Sequence, residues 1–218
     1  MVRVPSGWFW RGSDNHYEWE RPRRRVFVDS FEIAAAAVTR REFAEFLTAT
    51  RHEEPKGWAD PAFDDWEQPV VGVSWFDALD YCEWRGEGFR LPTEAEWECA
   101  SRGGRIDEEY AWGNEPPESL EYFQGPWPAP KPVATWRANG FGLFNMGENV
   151  HEWCRDWYAS EYYAVSPERN PTGPETGARR VSRGGSWRHL VKGSRCAHRS
   201  SLRPEYRYTD YGFRIVRA

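Results

Sequence analysis

Apolar and polar positions alternate along "RRVFVDSFEIA" (24–34), the period-two signature of strand. At Thr39 the period lengthens. In "TRREFAEFLTA" (39–49), Phe43, Phe46 and Leu47 fall on one face of a helix, and Thr39 with Glu42 three residues on forms a capping box. The same device opens "SWFDALDYCEW" (74–84), where Ser74 meets the acidic Asp77, and "TEAEWECA" (93–100), where Thr93 meets Glu96 just after Pro92. In each, a side-chain oxygen accepts from an unpaired N–H of the first turn, and the acid complements the helix dipole. Strand patterning returns in "RRVSRGGSW" (179–187) and "YGFRIVRA" (211–218). Between about 104 and 140 the chain is rich in Pro, Gly and Trp, which predicts a long loop that is functional or pinned by its own aromatics. No fixed-period repeat or linker divides the chain, so one domain is expected over 1–218.

With 218 residues, that domain can bury a core without metals or disulfides. Fourteen Trp, ten Tyr and twelve Phe supply the buried area in a chain that is 29% charged, and exclude disorder. Lysine occurs only at Lys56, Lys131 and Lys192, the remaining basic residues being arginine, a balance that hints at a GC-rich and thermophilic source although lysine scarcity is not the general thermophile signal. "MVRVPSGWFW" has no signal-peptide core, and no window approaches the apolar length of a membrane span, so a cytoplasmic protein without a membrane partner is expected. Cys82, Cys99, Cys154 and Cys196 stand far apart, which predicts reduced, mostly buried thiols.

Charge divides unevenly. Residues 179–218 hold eleven Arg and Lys against Glu205 and Asp210, a balance of +9 that leaves −14 on the first 178 residues. Such a block can face an anionic partner. Its interleaving with strand-like residues instead predicts internal pairing with the acidic remainder, and makes nucleic acid an unfavoured partner. His16, His52, His151, His189 and His198 show neither an i, i+4 pair nor a nearby carboxylate triad. His189 and His198 flank Cys196, a weak signal for a mixed metal site.

Taken together, "PVVGVSWFDALDYCEW", "RLPTEAEWECASRGG", "YAWGNE", "NGFGLFNMGENVHEWCRDWY", "RVSRGGSW" and "YGFRIVRA" resemble, in order and over nearly the whole chain, the formylglycine-generating enzyme (sulfatase-modifying factor) family. The resemblance implies an α+β, C-type-lectin-like fold: terminal strands in a small sheet, two main helices and a loop-rich lobe. It does not fix the function, because the family includes copper-dependent oxidases, iron-dependent sulfoxide synthases and the variable proteins of diversity-generating retroelements.

The oxidase pattern has two cysteines five residues apart. Cys196 falls on the second, whereas Val191 occupies the first and Arg188 the position of a serine. A lone thiolate is a poor Cu(I) site, so the chain leans away from being an enzyme; the alternative is a copper-dependent formylglycine-generating oxidase or related metalloenzyme using Cys196. The sulfoxide synthases draw their iron histidines from a separate N-terminal domain. The turn "NMGENVHEW" (145–153) resembles a family calcium loop, which implies Asn149 and Glu152 as ligands of a structural Ca²⁺, with Glu148 replacing the usual glycine. A second family calcium site has Ala134 in place of aspartate.

The retroelement class fits best. Its frame is present as Arg183–Trp187, Arg195, Arg199, Pro204, Arg207 and Gly212–Arg214. Between these markers stand Arg188, His189, Lys192, Ser194, Cys196, His198, Ser200, Ser201, Leu202, Arg203, Tyr206, Tyr208, Thr209 and Tyr211, side chains suited to a recognition surface. The expectation is a non-catalytic ligand-binding protein whose segment 188–211 faces a protein or other macromolecular ligand.

Overall fold

A computed structural model describes residues 1–124, 127–189 and 193–217. All three capping boxes form. They open α1 (Arg40–Thr50), α2 (Trp75–Arg85) and α3 (Glu94–Ser101). The alternating segment 24–34 makes two strands, β3 (Arg24–Val28) and β4 (Phe31–Ile33). Before them come β1 (Val2–Val4) and β2 (Gly7–Arg11), and β2 pairs antiparallel with β3.

Beyond α2 lie β5 (Phe89–Arg90), β6 (His151–Trp157), a short α4 (Tyr162–Val165), β7 (Arg180–Arg183), β8 (Arg199–Leu202), β9 (Tyr211–Gly212) and β10 (Val216–Arg217). The terminal strands share a sheet of order β1-β4-β10-β5, in which β4 separates β1 from β10. A second four-stranded sheet runs β8-β7-β6-β9, antiparallel except that β9 lies parallel to β6. With α1 and α2 as its long helices, this is the α+β, C-type-lectin-like architecture.

Two large apolar clusters hold the fold. One gathers Val26, Val28, Ile33, Trp97 and Cys154 around α3; the other gathers Phe43, Phe46, Tyr81, Trp153 and Phe213 between α1, α2 and the C-terminal strands. The 104–140 region contains only short 3₁₀ turns among its described residues, and its aromatics stack on one another: Tyr110 on Trp112 at 4.8 Å, Tyr122 on Trp136 at 4.6 Å. All four cysteines are buried and unpaired. Among the described residues no helix is long and apolar enough to cross a membrane.

Candidate functional site

The arginines of the C-terminal block turn inward. Arg199 of β8 donates to Glu94 at 2.7 and 3.1 Å, Arg183 of β7 to Glu98 at 2.5 Å, and Arg11 of β2 to Glu94 at 2.8 Å, with every partner buried. Arg195 grips Glu20 with two bonds of 2.7 Å, and Arg207 holds Asp77 at 2.8 and 2.9 Å. Burial opposes the charge on Glu94, but Arg199, Arg11 and Arg183 outweigh it and hold the carboxyl down at about 2. The charge asymmetry of the sequence is therefore largely an internal lattice that ties β7 and β8 to α3.

That lattice fixes a strand edge over which the intervening residues are displayed. Arg188, His189, Arg203, Tyr206 and Tyr208 are exposed, and His198, Ser200, Ser201 and Thr209 are half-buried. A hollow of about 460 Å³ opens between β6, β8 and the residues that follow β7; Arg188, His189, His198, Ser200, Ser201, Leu202, Tyr208 and Tyr211 line it, joined by His151, Arg179 and Asp210. Burial, reinforced by Arg195 and Arg183, holds His198 down at about 3, so its imidazole is neutral.

Four of the proposed contact residues do not belong to an exposed face. Ser194 and Cys196 are closed into the interior, and Leu202 and Tyr211 reach the hollow from below with less than a tenth of their surface open. The reason for Ser194 is backbone crowding: a Cβ on Gly147 would stand 2.5 Å from the Ser194 carbonyl oxygen, and one on Gly193 only 2.8 Å from Gly185 Cα. Lys192, also proposed as a contact, lies outside the described residues, as does Val191.

Cys196 is not presented for chemistry. Its Sγ accepts from Ser101 Oγ at 3.2 Å within the α3 cluster, and burial pushes the thiol above its ordinary value against the pull of Arg102. The thiol is thus enclosed and held in its neutral form by its surroundings.

The side chains expected to bind calcium are engaged by protein partners. Both Glu152 oxygens are taken by Arg214, at 2.6 and 2.7 Å, and Trp97 Nε1 donates to one of them at 2.6 Å. The Asn149 carboxamide is spent on Lys131, accepting from its N–H at 2.9 Å and donating to its carbonyl at 3.0 Å. These two side chains do not fit a Ca²⁺ shell; they brace the turn. Glu148 lies buried beside them, accepting from Asn145 Nδ2 at 2.8 Å, and burial raises its carboxyl to about 7.

Sequence reasoning missed His151, Arg179 and Asp210. The parallel pairing of β6 with β9 sets His151 opposite Tyr211, and the His151 N–H donates to the Asp210 carbonyl at 2.9 Å. Histidines and a carboxylate that no local spacing connects are thus brought together by register.

Comparison with known proteins agrees with this architecture. The family model described as "Sulfatase-modifying factor enzyme 1-like domain" matches residues 1–218. The chain is 36% identical over 238 residues to serine/threonine-protein kinase pkn1 of Chlamydia caviae, covering 100% of this chain but only 38% of that protein. It is 35% identical over 281 residues to the formylglycine-generating enzyme of Streptomyces coelicolor, covering 99% of this chain and 88% of the relative. Among solved structures, Treponema denticola variable protein 1 superposes with a TM-score of 0.85 at 24% identity, over 100% of this chain and 94% of that one.

Proposed function

Because the chain belongs to the sulfatase-modifying factor enzyme 1-like family, we propose a function from the residues that distinguish it within that family. It is a non-catalytic ligand-binding protein whose segment 188–211 and adjoining hollow recognise a protein or other macromolecular ligand, in the manner of diversity-generating retroelement variable proteins. One observation carries this reading. Within a single segment, Arg195 and Arg199 are locked inward by Glu20 and Glu94, while Arg188, His189, Arg203, Tyr206 and Tyr208 stand outward. A rigid frame carrying adaptable polar and aromatic side chains is what a recognition surface needs.

The oxidase alternative would put copper chemistry on Cys196, and the burial of that thiol disfavours it. The reduced state of the four cysteines suits a cytoplasmic protein. The arginine pairing disfavours a nucleic-acid partner, since few of these guanidiniums are left for phosphates. Sequencing the neighbouring DNA tests the proposal. A reverse transcriptase with a near-copy of the 3′ coding end, differing at adenines in the codons of the outward residues, is the expected result; a sulfatase gene and no such copy would overturn it.

A further inference from the structure

Three donors from separate stretches of chain converge at the floor of the hollow. His151 opens β6, Asp210 immediately precedes β9, and His189 lies on the turn beyond β7. Their ligating atoms all lie within 4.8 Å of one another. We propose that His151, His189 and Asp210 bind a divalent transition-metal ion of the zinc class, with a coordination position left for water or a ligand group.

Each residue is prepared for the part. His151 Nδ1 lies 2.7 Å from the Gly184 carbonyl oxygen, which can only accept, so Nδ1 carries the proton and Nε2 presents its lone pair. A metal-binding imidazole is ordinarily fixed in just this way, by donating its second nitrogen to a carbonyl or carboxylate. Burial also lowers the proton affinity of His151, which keeps the ring neutral. Asp210 is 6% exposed at its side chain, and its Oδ2 lies 3.9 Å from His189 Nε2. Ser186 Oγ donates to the same carboxylate oxygen at 3.2 Å and orients it.

His189 completes the set from the open side. Its side chain is 59% exposed, and a modest swing would close the gap. Tetrahedral zinc with ligands at about 2.0–2.1 Å would draw the donors to roughly 3.4 Å of one another. Two imidazoles and one carboxylate favour Zn²⁺, Co²⁺ or Ni²⁺ over Ca²⁺ and Mg²⁺, which prefer all-oxygen shells. Three protein ligands with an open position is also the arrangement of reactive rather than purely structural zinc. His198 lines the same hollow, with its buried Nδ1 lacking a hydrogen-bond partner among the described residues. The metal site is independent of the macromolecular-ligand proposal, and either can fail without the other.

The test uses untagged full-length protein, stripped with EDTA and titrated with ZnCl₂ in a calorimeter, with CoCl₂ followed by visible absorption in parallel. Wild type should take up one equivalent of zinc and develop cobalt d–d bands. His189→Ala changes an exposed side chain and so preserves the fold; it should weaken zinc binding about a hundredfold and abolish the bands. Asp210→Asn should act in the same direction. No zinc uptake at micromolar concentrations, or uptake that survives His189→Ala at wild-type affinity, overturns the assignment.

Discussion

Arg214 holds Glu152 through two parallel bonds, Nε to Oε2 at 2.6 Å and Nη2 to Oε1 at 2.7 Å, with both side chains shut away from solvent. The same guanidinium reaches the carbonyls of Ala34 and Phe144, so one residue near the last strand ties together the end of β4, the turn at Phe144 and β6. Arg214→Leu would leave a buried carboxylate unpaired, and denaturant unfolding should show a loss of about 3–5 kcal/mol. Arg214→Lys should recover only part of this, because an ammonium cannot reproduce the two-pronged geometry.

The same pairing makes a prediction about calcium. With Glu152 and Asn149 engaged by protein partners, a calcium ion has little to bind at this turn. Thermal unfolding in excess EDTA and in millimolar CaCl₂ should give the same midpoint. A midpoint that rises with calcium concentration would show a native-state calcium site.

Asp156 gives the stability a pH dependence. Burial, with Glu94 adding to it, raises its carboxyl to about 7. A folded-state value above the unfolded one means that its contribution is fully present below pH about 4 and is lost as pH rises through about 7. Glu94 behaves oppositely, contributing above pH about 4 and losing its contribution as pH falls toward about 2. Asp156→Asn should therefore be more favourable at pH 8 than at pH 5, by on the order of 2–4 kcal/mol at most in urea unfolding. An effect that is equal at the two pH values would contradict the assignment.

Cys196 should be slow to react. A thiol-specific reagent added to native protein should leave it unmodified until the chain unfolds, because the group is 1% exposed and neutral. Cys196→Ser should cost about 1–2 kcal/mol, the hydroxyl being more polar than the thiol it replaces beside Ser101. Rapid modification of Cys196 in the folded state would contradict its enclosure.

The helices were legible because their signals are local: Thr39–Glu42, Ser74–Asp77 and Thr93–Glu96 lie within one turn, and all three boxes form. β6 was not legible as a strand. His151, Glu152, Trp153, Cys154 and Asp156 are all buried, so the alternation that marks a half-buried strand is absent. The internal destination of the C-terminal arginines followed from their interleaving with strand residues, but not their partners, since Arg199 and Glu94 stand 105 positions apart. The outward residues of 188–211 were identified by type, whereas Ser194 is drawn inside by glycine-to-backbone contacts and Cys196 by the α3 cluster and Ser101, relationships that no residue pattern announces. His151, His189 and Asp210 meet through the parallel β6–β9 pairing and the turn after β7, relationships invisible to spacing.

The most direct test of a binding rather than an oxidising role is mass spectrometry of a cysteine-containing sulfatase peptide incubated with the copper-treated protein. The cysteine should remain unconverted, with Cys196→Ser indistinguishable from wild type. Conversion of the peptide cysteine to formylglycine by wild type, abolished by Cys196→Ser, would contradict the account.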